Sequence, residues 1–207
     1  SFRWNASHFS GTDWDEGTKR KGIFRFAGKN WERKIDDENG NYDYLMGADL
    51  DTDQPEVVKE TADWGKWYLD TVYMDGFRLD AVKHIGFDFY REWLKTMREY
   101  AGRDLFAVGE YWSKDINKLT VYLDTLEHCL SLFDVPLHFH FLEAATSDGN
   151  YDMSRLYEGT LTGTDPEHAV TFVDNHDTQP GQALYSFIPA WFKPIAYALI
   201  LLRAAGT

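Results

Sequence analysis

Gly76-Phe77-Arg78-Leu79-Asp80-Ala81-Val82 is a short apolar run carrying two charges, and it sets the pattern for the rest of the chain. It reads as a buried strand ending on a carboxylate, and the periodicity over residues 87–100, closed by Gly102, predicts a helix behind it. The unit recurs. Residues 105–109 form a second strand-like run with a helical stretch over 115–126, and residues 132–135 a third with a helix through Ala145. Residues 169–173 make a fourth, and an amphipathic helix is expected over 191–205. Upstream, Pro55 opens a helix whose apolar face is expected to hold Val57, Val58, Thr61, Ala62, Trp64 and Tyr68. Short apolar strands alternating with helices predict an α/β class with a parallel sheet, either an open doubly wound sheet or part of a (β/α)8 TIM barrel. No Gly-x-Gly-x-x-Gly turn follows a strand, which argues against the nucleotide-binding version.

Residues 1–54 show no sustained helical period. Ser10-Gly11-Thr12-Asp13 and Asp36-Asp37-Glu38-Asn39-Gly40-Asn41 read as turns. Trp4, Trp14, Phe26 and Trp31 argue for a folded, loop-rich lobe rather than a disordered tether. The expected division is therefore an inserted, β-containing lobe over 1–54 and part of a catalytic barrel over 55–207. The chain begins without Met and stops just after a helical pattern, so a segment of a longer protein is expected.

Lys+Arg 21 against Asp+Glu 34 gives a net charge of -13, which would repel phosphate backbones and anionic lipid. Neither nucleic acid nor a membrane is expected as a partner, whereas a neutral polymer meets no such repulsion. Trp 8, Tyr 12 and Phe 14 provide many rings, most of them core filling and some available to stack on sugars. The lone Cys129 rules out an internal disulfide. The apolar stretch near the C-terminus is interrupted by Arg203 and is too short to span a bilayer.

Charged residues gather at the predicted C-terminal strand ends: Arg78 and Asp80, then Glu110, then Asp134, then Asp174, His176 and Asp177. In a parallel α/β fold these ends open on one face, where active sites lie. Each carboxylate alone could equally be a helix cap. As a set they point to chemistry, and two carboxyls facing one bond suit glycosidic cleavage, at about 5–5.5 Å apart for retention of configuration. Alternation along the strand puts Arg78 on the side of Asp80, where its charge favours an ionised nucleophile. Glu110 sits among Ala107, Val108, Tyr111 and Trp112, and desolvation there is expected to raise its pKa, as an acid catalyst requires.

Gly76-Phe77-Arg78-Leu79-Asp80-Ala81-Val82-Lys83-His84, Val108-Gly109-Glu110-Tyr111-Trp112 and Phe172-Val173-Asp174-Asn175-His176-Asp177-Thr178 resemble three motifs of the α-amylase family of glycoside hydrolases, in the right order and spacing. Phe133-Asp134-Val135-Pro136-Leu137-His138 and Trp191-Phe192-Lys193-Pro194 extend the resemblance, which is nearest to the bacterial liquefying type and its intracellular relatives. The resemblance implies strands four to seven of a (β/α)8 barrel and retaining endo-hydrolysis of α-1,4 bonds in starch, glycogen or maltodextrins. It implies Asp80 as nucleophile, Glu110 as general acid/base and Asp177 as transition-state stabiliser. Arg78, Lys83, His84, Trp112 and His176 take substrate-binding positions. Other readings are a maltooligosaccharide-forming hydrolase or transglycosylase of the same family, or a non-catalytic glucan-binding fragment.

The family also implies one structural calcium, held by Asp43, Asp49 and the backbone carbonyl of His84, with Asp51 and Asp53 as further candidates. An oxygen-rich acidic loop suits such a hard cation. Ser10 and Glu32 stand where the liquefying enzymes carry Asp for a second calcium and a sodium, so those extra ions are not expected. The same two residues and the single cysteine point to a cytoplasmic bacterial enzyme, with secretion as the alternative, and a monomeric parent is expected. His138 and His140 are read as groove or surface histidines rather than metal ligands.

Overall fold

A computed structural model describes residues 2–32, 36 and 45–203. The chain divides into two compact units, Ser1–Phe77 with Ala81–Phe106, and Arg78–Asp80 with Ala107–Thr207.

The first unit opens with strands β1 (Phe9–Asp15), β2 (Arg20–Arg25) and β3 (Ala48–Leu50), paired antiparallel in the order β2-β1-β3. The β1–β2 turn is fixed locally: Asp15 Oδ1 accepts from Gly17 N at 2.9 Å, and Lys19 takes the left-handed conformation at φ 54. Both pairings of β1 carry a register shift, between Thr12 and Trp14 and between Phe9 and Gly11. Those irregularities, with a half-exposed β2, erase the alternation that would have announced strands in the sequence.

Helix α1 (Pro55–Val72) has Pro in its first turn and ends on Tyr73 at φ 55. Of the expected face Val57 is buried and Thr61, Ala62 and Tyr68 are half-buried, but Trp64 is 54% exposed and Val58 40%, and Gly65 and Leu69 are buried instead. Gly65 explains the shift. A Cβ there would meet Met97 and Trp93, so this bare stripe lets helix α2 (Phe87–Ala101) approach closely, and Trp93 Nε1 donates to Thr61 O at 3.1 Å. In α2 the buried Tyr90, Trp93, Leu94 and Met97 follow helical spacing, and Gly102 caps it at φ 63.

Four strands make the second sheet, in the order β4 (Gly76–Leu79), β5 (Phe106–Gly109), β6 (Ser131–Phe133), β7 (Ala169–Val170). Phe106 N donates to Asp75 O and Glu110 N to Leu79 O, so β4 and β5 advance together. The β5–β6 and β6–β7 pairs are parallel, with Val108 opposite Ser131 and Leu132 opposite Ala169.

In the second unit, α3 (Ile116–Thr125) is capped by Asp115, whose side chain accepts from Asn117 N. Helix α4 (Val135–Thr146) starts on Asp134 with Pro136 in its first turn, and α5 (Leu161–Thr164) starts on Thr160. Helix α6 (Lys193–Leu201) is shorter than its apolar pattern. Leu137, Phe141, Leu156, Val173, Ile188, Phe192 and Ala196 interlock as a core that joins α4, α6 and the segment after β7. β7 is shorter than the expected 169–173 because its partner ends first: Asp134, just after β6, already turns into α4. Among the described residues no helix is long and apolar enough to cross a membrane.

Candidate active site

The in-register start of the site is the hydrogen bond from Glu110 N to Leu79 O, 2.9 Å. It sets the residues that follow β4 and β5 side by side, on backbones about 4.8 Å apart. Asp80 and Glu110 are those residues. Arg78 joins them: one terminal nitrogen is bonded to Asp80 Oδ1 and the other lies 3.1 Å from Glu110 Oε1. A rigid planar fork cannot hold two carboxylates that face different regions, so the two acids flank a common point. Their surroundings differ. The Asp80 side chain is 72% exposed and that of Glu110 7%, so one acid faces solvent and the other is walled in. After Asp80 the backbone enters the left-handed region at Ala81, φ 45, an uncommon conformation for a residue with a Cβ.

Asp177 and His176 stand on the turn after β7, with His176 Nε2 3.2 Å from Asp177 Oδ2. The turn is pinned from within. Asn175 Oδ1 accepts from Asp177 N and Thr178 N, at 2.9 and 3.0 Å. Asp174 accepts from Thr178 Oγ1 and Ile188 N, and its second oxygen meets Lys193 Nζ at 2.7 Å. Asp174 is thus a scaffold for the turn, not a reacting group.

Asp134 is the other strand-end acid that proves structural. It is wholly buried and accepts from three backbone groups, Leu137 N, Leu161 N and Thr162 N. It therefore caps α4 and fixes the start of α5, the capping role left open in the sequence.

The half-buried Trp112, two residues past Glu110, lies 5.9 to 6.2 Å from the rings of His138, Phe139 and Phe172. His138 is neither a groove nor a surface residue. It is 0% exposed, stacks on Phe172 at 5.0 Å, and uses both ring nitrogens, on Val173 O at 2.7 Å and Ser186 Oγ at 2.8 Å. Burial pushes its pKa down, against the carbonyl of Val173 and the charge of Asp174. His140 is half-buried and bonded to Leu156 O.

Lys83 and His84 belong to the first unit, in a 3₁₀ turn over Val82–His84, with Lys83 buried and its carbonyl accepting from Asp36 N at 3.0 Å. The same unit holds the acidic loop. Asp43 lies outside the described residues. The pKa of Asp49 is pushed up to about 6, by burial first and then by the charges of Glu32 and Asp51. A carboxyl raised that far by burial and neighbouring carboxylates would be relieved by a cation, and an all-oxygen set fits a hard one. Part of the set is satisfied by protein. Glu32 is buried and accepts from Thr52 N, Thr52 Oγ1 and Gly86 N, and Lys29 Nζ meets Asp51 Oδ2 at 2.7 Å. Asp53 is exposed.

Parallel strands that present paired acids and an arginine at their C-terminal ends place the chain in the class of α/β barrel catalytic domains. The family follows from sequence comparison: the alpha amylase catalytic domain matches residues 21–184, and the chain belongs to the α-amylase family. It is 56% identical over 208 residues to an alpha-amylase of Geobacillus stearothermophilus, taking in 100% of this chain and 38% of that protein. It is 47% identical over 209 residues to the cytoplasmic alpha-amylase of Escherichia coli, across 99% of this chain and 42% of that protein. The acarbose complex of a Geobacillus thermoleovorans alpha-amylase matches with a TM-score of 0.56 at 26% identity, over 70% of this chain and 34% of that one. The chain spans about two fifths of the length of the curated relatives it matches. The expected fold class holds: β4–β7 and their helices are part of the family's (β/α)8 domain, and antiparallel strands precede them.

Proposed function

We propose that the protein carrying this chain is an α-amylase, which cleaves internal α-1,4 bonds of starch, glycogen and maltodextrins with retention of configuration. The observation that carries this reading is the single guanidinium of Arg78 bonded to Asp80 and set against Glu110. Asp80 is the nucleophile: its exposed carboxylate attacks the anomeric carbon and forms a glycosyl-enzyme bond. Glu110, as the acid, gives its proton to the departing glycosidic oxygen, then as base takes one from the water that releases the sugar. Asp177 accepts hydrogen bonds from the sugar hydroxyls at the transition state, with His176 beside it. Trp112 offers a ring face to a neighbouring glucose, and Lys83 and His84 bind the chain further along.

Asp49, with Asp43 and the His84 carbonyl, is the set we assign to one structural calcium, with Asp51 and Asp53 in support. Bound calcium supplies positive charge that relieves the crowding of these carboxylates and ties down the loop that carries them. Residues 1–54 are read as part of the inserted lobe and 55–207 as part of the barrel, in a monomeric protein. The likeness to a cytoplasmic relative favours a cytoplasmic location.

The test is product analysis with the full-length protein on soluble starch. Long-chain products of α configuration at early times are expected, with loss of about 10²–10⁴-fold in kcat for Glu110→Gln. Products of β configuration, or wild-type turnover in Glu110→Gln and Asp80→Asn, would overturn the reading.

A further inference from the structure

A group of side chains that the glycosidic site does not use lies at the opposite ends of the second unit's strands. His128 sits between α3 and β6, and Asp165 and His168 between α5 and β7. These two turns precede neighbouring parallel strands, and Leu132 N donates to His168 O at 2.9 Å, which fixes their spacing. The ligand atoms of His128, Asp165 and His168 all lie within 4.8 Å of one another.

The distances are informative. His168 Nδ1 lies 2.8 Å from Asp165 Oδ2, a hydrogen bond, while His128 Nε2 lies 3.5 Å from the same oxygen. The second distance is too long for a good hydrogen bond. It matches the ligand-to-ligand edge of a tetrahedral site with 2.0–2.1 Å bonds, about 3.3 Å. The imidazoles meet edge to face, with centroids 4.8 Å apart at 60°, and each turns a ring nitrogen toward the Asp165 carboxylate. His128 holds this position from the left-handed region, φ 55, with its N–H on Leu123 O. Asp124, in the last turn of α3, lies 3.7 Å from His128 Nε2 and adds a second negative charge. Two neutral imidazoles and two carboxylates balance a divalent cation.

We propose that His128, Asp165 and His168 form a binding site for a borderline transition-metal ion of the zinc class. Two nitrogens and one oxygen are the donors such ions prefer, whereas calcium takes oxygens in greater number. This site is separate from the acidic loop assigned to calcium. Its side chains are 41%, 23% and 26% exposed, so an ion has a path in and a fourth position remains for water. The N-terminal ends of barrel strands serve stability, and an ion here ties the turn before β6 to the turn before β7.

The test is calorimetric titration of the calcium-saturated full-length protein with zinc chloride, followed by cobalt substitution read as visible d–d absorption. One zinc per chain at micromolar or tighter affinity is expected, with a rise in Tm. His128→Gln, at an exposed and loosely held side chain, and His168→Gln should each weaken binding on the order of tenfold or more. A His128→Gln variant with the wild-type Tm in zinc-free buffer serves as the folding control. Asp49→Asn should keep the zinc response. No zinc binding by the wild type, or unchanged affinity in both histidine variants, overturns the proposal.

Discussion

Arg78 Nη2 lies 3.1 Å from Glu110 Oε1 while the other end of the same guanidinium is bonded to Asp80. One cation on β4 therefore sets the separation and orientation of two acids that arrive on different strands. Arg78→Lys keeps the charge but has no fork to span both carboxylates. We expect Arg78→Ala and Arg78→Lys both to lower kcat on starch by about 10²–10³-fold, with a smaller change in KM. Steady-state kinetics check this, and a lysine variant close to wild type would show that charge alone matters.

His138 makes the protein acid-sensitive in a defined direction. Burial depresses its folded pKa below the ordinary 6.5. The unfolded chain then binds more protons just below that value, so stability is full above pH 6.5 and falls as pH drops toward the folded pKa. Ser186 Oγ and Val173 O bracket the ring, and Ser186 Oγ itself donates to Leu184 O at 2.8 Å, so protonation is opposed by the burial of the ring and not by loss of these bonds. We expect the urea midpoint to fall between pH 6.5 and 5 in the wild type, with a flatter profile in His138→Gln.

The calcium we assign to the acidic loop would act on the other unit. With Asp49 held near 6 against an ordinary 3.8, the metal-free protein loses stability from this group as pH rises between those values. A bound cation cancels the loss. Chelation should lower Tm, and calcium at 100 times its Kd should restore about 2.7 kcal/mol. Asp49→Asn should raise metal-free stability and abolish the calcium response, both readable by calorimetry.

Asp134 is worth more than an ordinary cap. It satisfies Leu137, Leu161 and Thr162 from a site with no solvent, so Asp134→Ala leaves buried N–H groups bare. The expected cost is roughly 3 kcal/mol or more, against about 1 for an exposed cap. Asp134→Asn, which keeps one acceptor oxygen, should lose less. Urea unfolding with an unchanged slope checks both.

Much of this organisation is written locally. Gly102, Pro55, Asp115 and Asp134 mark helix ends through backbone rules that act within a few residues, and the strand-end acids follow from the alternation around them. What escaped the sequence depends on partners far along the chain. The inward face of α1 is set by Gly65 because Trp93 and Met97 fill the space a side chain would take. β1 to β3 hide behind register shifts. The His128 cluster joins two turns that lie far apart along the chain, so no local spacing announces it.

The 207 residues taken by themselves should behave poorly, for reasons visible in their surface. Among the described residues the parallel sheet ends on β4 at one side and β7 at the other, so it has two strand edges. On α1, Trp67 is 56% exposed and Tyr73 at its end 84%; at the end of α6, Leu201 is 74% exposed and Leu202 83%. Strand edges and apolar helix faces of this kind drive association. The separately produced 207-residue chain should self-associate, bind a hydrophobic dye and hydrolyse starch far below the full-length protein, while the full-length protein does neither of the first two. A monomeric, dye-silent and fully active 207-residue chain would mean that these faces need no cover. The carboxylate pair on β4 and β5 would then suffice without the strands that flank it.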